Sequence, residues 1–495
     1  MGISKSKFVA GLSCEKRLFF EVNHPELKTP ISASQEAKFA LGHRVGALSQ
    51  ERFPGGVNAE PENKRDFQTW IESTGSFIAS GESIVYEAAF SYHGSFCALD
   101  ILLNKNGNLT AIEVKSGGSK EDIYVKDAAF QYFVMSQAGY TPDRFYLLLV
   151  NGDYERQANL NVHQLFKTVD ITEEVLALQN FVVNNLANFQ AILDANILPI
   201  KDIGPHCSEP YACPFYAHCS AHLPAENPIT ELRGSSKKVW ELYNQGVLSI
   251  QDIPESFKPY KSQVSQINGV KHGTEVLRLD PIRKFVEEVS YPIHFFDFET
   301  AWPSIPLANG IKPYGHLSFQ YSLHILNSAE ELVHKEFLAD PGVIQGGVNT
   351  ECALIQQMKR DFHSEGSIVA FNKSFEENRL RDMINRFPEE ANFLNGILSR
   401  FVDLMVLFKP MNIYYKPAMK GRYSIKYVLP SIAPEFNYTD LEIGNGGDAS
   451  TIFASKCAGT FEGDWEQTRE ALLKYCELDT YAMVVIWNHL KSITL

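Results

Sequence analysis

The sequence predicts a mixed α/β (α+β) protein that contains two separate cores. The chain has 495 residues, of which 44% are hydrophobic, and this is enough for more than one sizeable core. Strands alternate with helices in two stretches, before about residue 200 and after residue 291. A cysteine-rich segment and a helical connector lie between them. We therefore expect domains at 1–222 and 291–495, with the connector at 223–290.

The first stretch predicts a helix, three consecutive strands, a second helix and a further strand. The strands are apolar, β-branched or aromatic runs, residues 104–108 have the composition of a hairpin turn, and Gly139 ends the second helix. The expected elements are a helix at 35–53, strands at 83–90, 96–103 and 109–115, a helix at 122–139, a strand at 145–150 and a long helix at 172–195.

The connector and the second stretch follow the same reasoning. In the connector we expect helices at 237–244 and 270–289, with Gly246 as a stop signal. In the second stretch we expect strands at 294–299, 316–325, 331–339 and 367–371, and helices at 349–363, 375–387 and about 464–490.

Two carboxylates and a lysine mark a first candidate metal site. Asp100 ends an apolar strand, and twelve residues with a hairpin turn separate it from Glu113. Strand alternation puts Glu113 and Lys115 on one face. Two adjacent carboxylates repel each other unless a cation lies between them, so the pair predicts a Mg²⁺ or Mn²⁺ site. Lys115 on the same face would orient the attacking water or neutralise developing charge.

Gln131 lies on the next helix. The order Asp100, Glu113, Lys115 and Gln131 along the chain resembles the motif order of the PD-(D/E)XK nuclease superfamily, and Gln131 resembles its RecB-like branch in particular. The resemblance implies an αβββαβ core in which Asp100 and Glu113 bind the metal and Lys115 and Gln131 are catalytic. Gly46 stands where RecB-like nucleases often have a metal-binding histidine, and His43 is offset from that position. Glu87 on the preceding strand is either a further carboxylate ligand or a surface residue.

Four cysteines extend this resemblance. Cys14 precedes the predicted core, and Cys207, Cys213 and Cys219 follow it in one short segment. One cysteine before the core and three after it resemble the iron–sulfur RecB-like nucleases, which implies that these four thiolates hold a [4Fe–4S] cluster. Zn²⁺ on the same thiolates is the alternative, but the five-residue spacer suits a zinc ribbon poorly.

A second set of acidic residues lies in the second stretch. Asp297 and Glu299 alternate on one face of a strand, and Glu376 lies near the start of a helix. In the last helix, Asp479 is the one charged residue in an otherwise apolar stripe, and Tyr475 lies one turn before it. A carboxylate on a buried helix face needs a partner, and a metal ion fits that need.

These motifs, in this order, resemble the DEDDy exonucleases of the RNase H-like fold. The resemblance implies that Asp297, Glu299, Glu376 and Asp479 hold two metal ions and that Tyr475 orients the attacking water. The chain departs from the family at Glu376, where aspartate is usual. Asp403 is either an additional ligand or a helix cap.

A basic segment at 409–427 separates the second and third of these motifs and contains no acidic residue. Cations for phosphates and aromatic rings for bases together predict a surface for single-stranded nucleic acid. Its candidate contacts are Lys409, Lys416, Lys420, Arg422, Tyr423 and Lys426, with Tyr414, Tyr415 and Tyr427 interleaved.

The whole chain carries 45 basic and 59 acidic side chains, a net charge of −14, which argues against a general polycation but not against a nuclease. We expect a cytoplasmic protein without a membrane span, because no secretory signal or long apolar run is found. The main hypothesis is a metal-dependent DNA nuclease that acts on single strands or ends, in repair or in defence against foreign DNA, with a helicase or defence-system partner. The alternatives are a nucleic-acid-binding scaffold with a silent site and an RNA exonuclease.

Overall fold

The computed structural model describes residues 2–234, 236–436, 438 and 441–494, and it confirms the mixed α/β class. The chain divides into two compact units. The first unit runs to Ala221 and includes 303–306 and 312–314, and the second contains 222–302, 307–311 and the chain from Gly315 onward. The helices of the connector belong to the second unit.

The first unit is built on a six-stranded mixed sheet. Its strands are β1 Val57–Asn58, β2 Ile84–Tyr92, β3 Ser95–Lys105, β4 Asn108–Lys115, β5 Arg144–Val150 and β6 Phe166–Asp170. Its helices are α1 Lys5–Ser13, α2 Glu15–Asn23, α3 Ala33–Glu51, α4 Phe67–Ala79, α5 Asp122–Gln137, α6 Val162–Leu165, α7 Thr172–Ala177, α8 Gln179–Ala195 and α9 Tyr216–Cys219.

The sheet order is the chain order, β1 to β6. Strands β2, β3 and β4 form an antiparallel meander, β5 lies parallel to β4, and α5 connects these two strands. Apolar side chains of α1, α5 and α8 pack on this sheet, with Phe8, Phe130 and Phe189 fully or almost fully buried among them. The sites described below depend on this packing, because it holds α1 and α5 beside β3 and β4.

The second unit contains a five-stranded sheet and a small two-stranded one. Its strands are β7 Val276–Leu277, β8 Ile293–Ala301, β9 Leu317–Leu326, β10 Leu332–Leu338, β11 Ile368–Ala370, β12 Phe401–Asp403 and β13 Tyr414–Tyr415. Its helices are α10 Ser236–Asn244, α11 Lys261–His272, α12 Leu279–Glu288, α13 Pro341–Gln345, α14 Glu351–Asp361, α15 Lys373–Arg386, α16 Ala391–Leu398, α17 Ile425–Ile432, α18 Gly446–Ala458 and α19 Trp465–Ser492.

The larger sheet has the order β10-β9-β8-β11-β12. Strands β8, β9 and β10 are antiparallel neighbours, whereas β11 and β12 run parallel to β8. Helices α18 and α19 pack against β8, and the side chain of Asp464 caps the N-terminus of α19. The central strand β8 therefore lies between α18, α19 and its neighbouring strands, which positions its acidic residues.

Some expected elements differ from the structure. The single helix predicted at 270–289 is wrong. Helix α11 ends at His272 and is capped by Gly273, whose φ is +66°. The two-residue strand β7 then precedes α12. The long helix predicted at 172–195 is interrupted at Leu178. Helices α1, α2 and α4 were not predicted from the sequence pattern.

In the parts of the chain described above, every helix is too short or too polar to cross a lipid bilayer.

Candidate functional site

Three carboxylates lie side by side across the first unit's sheet. Ile101 pairs with Ile112, and this register places Asp100 beside Glu113, as the hairpin predicts. On the other side, Glu87 of β2 lies across from Asp100, because its neighbours pair with those of Asp100. The Val114 amide donates a 2.6 Å hydrogen bond to Asp100 Oδ2 and holds that carboxylate in place.

Glu113 is the centre of this site and is 1% exposed. Its Oε1 atom accepts hydrogen bonds from Lys115 and from Lys5 of α1, both at 2.8 Å. Its Oε2 atom accepts a 2.9 Å hydrogen bond from the amide of Gln131 on α5. Lys115 also donates to Asp127 Oδ2 at 2.6 Å. The structure therefore brings Asp100, Glu113, Lys115 and Gln131 together and adds Lys5 and Asp127.

The charges of this site divide its carboxyl groups into two classes. Burial raises the pKa of Asp100 well above its ordinary value, and the negative charge of Glu113 raises it further. Burial acts in the same direction on Glu113, but Lys115 and Lys5 outweigh it and hold the pKa of Glu113 well below its ordinary value. The two lysines therefore favour the ionised form of Glu113, whereas burial and the charge of Glu113 favour the neutral form of Asp100.

A cleft of about 520 Å³ opens beside Asp100 and Lys115, and Glu87 lines it. Burial, together with the charge of Glu60, raises the pKa of Glu87 to about 7. The backbone of Glu87 is in the left-handed region, with φ 52°, which is strained for a residue with a side chain and is found most often at functional sites. His43 and Gly46 of α3 also line this cleft.

The four predicted cluster cysteines surround one cavity of the first unit. Burial raises the pKa of Cys207, Cys213 and Cys219, so these thiols are protonated near neutral pH and a bound metal would displace their protons. Half-buried Arg17 lines the same cavity. Its Nε atom lies 3.8 Å from Glu21 Oε1, and neither Nε nor Nη1 makes a hydrogen bond to another described residue. A cation beside four thiols fits an anionic metal–thiolate group.

The second unit gathers the four predicted acidic residues into one buried site. Asp297 and Glu299 lie on β8, Glu376 lies in the first turn of α15, and Asp479 lies on α19. Asp297 and Glu376 interact, and this interaction raises the pKa of Asp297 and lowers that of Glu376. The Oε2 atom of Glu376 is buried without a hydrogen-bond partner in the described part of the chain.

Burial raises the pKa of all four carboxyl groups. The charges of Asp479 and Glu376 raise those of Asp297 and Glu299 further, and the pKa of Glu376 reaches about 8. So many carboxylates in one buried place are unfavourable without a cation. Asp297, Glu299 and Cys476 offer donor atoms within 4.8 Å of one another, so the residues fit a metal ion.

Two tyrosines and one lysine surround Asp479. Tyr438 donates a 2.7 Å hydrogen bond from its hydroxyl group to Asp479 Oδ1. Tyr475, one turn before Asp479 on α19, also lowers the pKa of Asp479. The Lys426 Nζ atom lies 5.3 Å from the ring centre of Tyr438 and 5.1 Å from that of Tyr475. The charge of Lys426 opposes the pKa rise of Glu299 and Asp479.

Gly446 at the start of α18 approaches the same site. A Cβ atom added there would lie 3.3 Å from Glu299 Oε2, so glycine leaves the carboxylate room. Asp403 lies at the end of β12, and its Oδ1 atom accepts a hydrogen bond from the Met405 amide. That contact makes Asp403 the cap of a short 3₁₀ turn, which is one of the two roles expected for it.

The basic segment does not form the expected surface as a whole. Tyr414 and Tyr415 form β13 and are buried, so the prediction that they stack on bases is wrong. Tyr423 has Lys409 and Arg233 over its ring, and Arg422 lies over the ring of Tyr427. Lys409 and Lys420 are exposed and Lys416 is half-buried, whereas Lys426 belongs to the acidic site.

Sequence reasoning missed Lys5, Asp127, Arg17 and Tyr438. Lys5 and Arg17 lie on helices that the sequence pattern did not reveal, and Lys5 lies more than a hundred residues from Glu113. Asp127 is an acidic residue on the otherwise buried face of α5, which is the same signal that pointed to Asp479. Tyr438 lies in an irregular segment, where periodicity gives no information.

Residues 294–424 match the sequence profile of a family described as "Domain of unknown function (DUF2779)". This range contains Asp297, Glu299 and Glu376 and ends before Asp479. The chain is 31% identical over 208 residues to Uncharacterized protein MG366 of Mycoplasma genitalium, covering 39% of this chain and 31% of that protein.

Two further relatives are similar to the same extent. Uncharacterized protein MG366 homolog of Mycoplasma pneumoniae is 29% identical over 215 residues, covering 40% of this chain and 32% of that protein. Uncharacterized protein UU173 of Ureaplasma parvum is 30% identical over 220 residues, covering 40% of this chain and 31% of that protein. The chain thus matches about a third of the length of these relatives.

Proposed function

We propose that the protein is a metal-dependent DNA nuclease with two sites, a RecB-like site in the first unit and a 3′→5′ exonuclease-like site in the second. The observation that carries the proposal is the convergence of Asp297, Glu299, Glu376 and Asp479, from one strand and two helices, in one buried site. Such a set of acids has a high cost unless cations are bound there. Phosphodiester hydrolysis is the reaction for which proteins commonly use paired divalent ions held by carboxylates.

The order of the motifs supports the assignment of the two folds. In the first unit, an antiparallel meander, a helix with Gln131 and a parallel strand follow one another, as in PD-(D/E)XK cores. In the second unit, the acidic residues lie on the central strand and on two helices in the order found in RNase H-like DEDDy enzymes. Both fold assignments are part of this proposal.

In the first site, Asp100 and Glu113 would hold Mg²⁺ or Mn²⁺, which would lower the pKa of a bound water and neutralise phosphate charge. Lys115 is fixed by Glu113 and Asp127 beside the cleft and would balance the charge that develops on the reacting phosphate. Gln131 holds the second oxygen of Glu113, so this carboxylate keeps one orientation. The cleft beside Asp100 gives the substrate access.

In the second site, the four acids would hold the metal pair. Tyr438 fixes one oxygen of Asp479. Tyr475, one turn before Asp479 on α19, would orient the attacking water with its hydroxyl group. Lys426 would contact the phosphate that is cleaved or its neighbour. Exposed Lys409 and Lys420, with half-buried Lys416, Arg422 and Tyr423, would hold the strand that leads to the site.

Four thiols around one cavity, with the half-buried Arg17 beside them, support a [4Fe–4S] cluster on Cys14, Cys207, Cys213 and Cys219. The guanidinium charge would offset the negative charge of a thiolate-bound cluster. The five-residue spacer between Cys207 and Cys213 suits a zinc ribbon poorly, so the cluster is favoured over a single Zn²⁺ ion.

The nuclease proposal is tested with end-labelled single-stranded and double-stranded DNA and with RNA, in Mg²⁺, Mn²⁺ or EDTA. We expect metal-dependent cleavage of DNA that the double variant Lys115→Ala/Asp479→Asn loses. Binding without cleavage would contradict the proposal and favour a scaffold. Cleavage of RNA alone would favour an RNA exonuclease.

Action in repair or defence with a helicase or defence-system partner belongs to the same proposal, and co-purification would identify such a partner.

The cluster is tested separately by purification without oxygen. We expect brown protein with broad absorption near ~400 nm and about four iron atoms per chain. Cys213→Ser should remove both signals, whereas Cys352→Ser, an exposed cysteine of the second unit, should leave them unchanged. Colourless protein with one zinc ion per chain would show that the thiolates bind zinc.

A further inference from the structure

A third group of metal-ligating side chains lies in the second unit, outside both acidic sites. It consists of His324 on β9, His334 on β10 and Glu477 on α19, whose donor atoms lie within 4.8 Å of one another. The two histidines are direct cross-strand partners, because His334 pairs with His324 in the antiparallel register. His324 is buried, His334 is half-buried and Glu477 is exposed, so the group reaches from the interior to solvent.

The hydrogen bonds around these histidines fit one assignment of the ring protons. Thr480 Oγ1 lies 3.0 Å from the Glu477 carbonyl oxygen, 2.8 Å from His324 Nδ1 and 2.7 Å from Ser322 Oγ. We assign the Thr480 proton to the carbonyl oxygen, which can only accept, so that His324 Nδ1 and Ser322 Oγ donate to Thr480. In this assignment His334 Nε2 donates to Ser322 Oγ at 2.9 Å.

This chain of hydrogen bonds leaves one lone pair on each ring, at His324 Nε2 and at His334 Nδ1. The His334 Nδ1 atom lies 3.8 Å from Glu477 Oε1, beyond hydrogen-bond distance. Neutral imidazoles whose second nitrogen donates a hydrogen bond are typical metal ligands.

We propose that His324, His334 and Glu477 bind a zinc ion, with water as the fourth ligand. Two imidazole nitrogens and one carboxylate form a known zinc-binding set, and imidazole favours Zn²⁺ over Mg²⁺. The two rings stack with centroids 4.5 Å apart and planes 25° apart, so binding requires a small rotation of the half-buried His334 ring. This site is independent of the nuclease proposal, because it uses none of the same residues.

Zinc at this position would connect three elements that otherwise meet through side-chain packing and hydrogen bonds. Strand β10 is the edge of its sheet, and Glu477 lies on α19 between Tyr475 and Asp479. An ion held by β9, β10 and α19 together would fix the position of α19 along the sheet. The role we assign to the ion is therefore structural.

The test is a zinc titration by calorimetry in excess Mg²⁺, followed by zinc analysis of the desalted protein. We expect His334→Ala and Glu477→Gln to bind one zinc ion fewer per chain than the wild type, and His272→Ala, an exposed histidine of the same unit, to bind the wild-type number. Thr480→Val removes the group that orients His324 and should weaken this binding by about 10–100-fold.

Thermal unfolding gives a second readout. Zn²⁺ should raise the unfolding midpoint of the wild type and of His272→Ala, and it should raise that of His334→Ala less. Equal zinc stoichiometry and equal affinity in the wild type, His334→Ala and Glu477→Gln would overturn the proposal. His334 and Glu477 are not fully buried, so their variants are expected to fold, and circular dichroism checks this.

Discussion

At the residue scale, Glu113 depends on two lysines that donate to the same oxygen atom. Lys115 also pairs with Asp127, so Lys115→Met leaves two buried carboxylates without this partner and should cost about 3–5 kcal/mol of unfolding free energy. Lys5→Met leaves Glu113 with Lys115 and Gln131 and should cost about 1–2 kcal/mol. Urea unfolding measures both costs.

Lys7→Met on the same helix serves as the control, because Lys7 bonds a backbone carbonyl at 3.4 Å and faces no buried carboxylate in the described chain. It should change stability by less than about 0.5 kcal/mol. A loss for Lys5→Met as large as that for Lys115→Met would contradict this account of Glu113.

The acidic site of the second unit makes stability depend on pH when metal is absent. The pKa of Glu376 is raised in the folded state to about 8, so its contribution to stability is full below pH 4.5 and is lost as pH rises through 8. We expect the unfolding midpoint of chelator-treated protein to fall from pH 6 to pH 9. Glu376→Gln should reduce this fall, and Mn²⁺ should reduce it in the wild type by favouring the ionised carboxylates. A midpoint that falls equally in Glu376→Gln would contradict the prediction.

Sequence reasoning identified most of the acidic residues at these sites but few of their partners. Asp479 was visible because helix periodicity places a charge where apolar residues are expected. Asp100 and Glu113 were visible because a hairpin turn brings two carboxylates side by side. Lys5 and Tyr438 were not, because their proximity to Glu113 and Asp479 depends on long-range packing. The basic segment shows the opposite error, since composition alone does not distinguish a buried tyrosine such as Tyr415 from an exposed one.

At the element scale, α1 links the two candidate metal sites of the first unit. It begins at Lys5, which contacts Glu113, and Cys14 follows its last residue. Gly11 allows α1 to approach α8, because an added Cβ atom would lie 2.7 Å from the Phe189 ring. Gly11→Ala should therefore cost about 1–3 kcal/mol of unfolding free energy. Denaturant unfolding of the metal-free protein measures this cost.

The matched control is Gly42→Ala in α3, where an added Cβ atom meets nothing within 4 Å. There, alanine should be neutral or should stabilise the helix by up to about 1 kcal/mol. If both variants changed the unfolding free energy in the same direction and by the same amount, the effect would come from helix propensity. That outcome would contradict the prediction that Gly11 is needed for close packing of α1 on α8.

Helix α1 also shows why some elements were not predicted. Its nine residues contain too little periodic signal, and its hydrophobic residues serve contacts with α5 and α8 that lie more than a hundred residues away. Eight strands were predicted, β2 to β5 and β8 to β11, and most of them contain a run of apolar residues. The short strands β1 and β12 and the mostly polar β6 were not predicted. The break at Gly273 was missed because the sequence on both sides of it is amphipathic.

At the scale of the whole molecule, each compact unit has its own sheet, its own core and its own set of acidic residues. The sequence pattern predicted two cores because α/β alternation restarts near residue 291. It did not predict that the chain changes unit again at 303–306 and 312–314, since short loop segments carry no periodic signal.

Because the acids of each site belong to one unit, the two proposed activities should be separable. Asp479→Asn keeps the shape of the side chain and an oxygen for the Tyr438 hydrogen bond but removes a metal-binding charge. It should abolish single-nucleotide products released from 3′ ends and leave the remaining cleavage intact. Lys115→Ala should abolish the remaining cleavage and leave the single-nucleotide products from 3′ ends intact. Glu466→Gln, at an exposed position of α19, should change neither activity. Product ladders on 5′-labelled DNA measure both activities. If Asp479→Asn leaves the ladder unchanged while Lys115→Ala removes all cleavage, the second site is silent and its unit serves as a binding surface for the first.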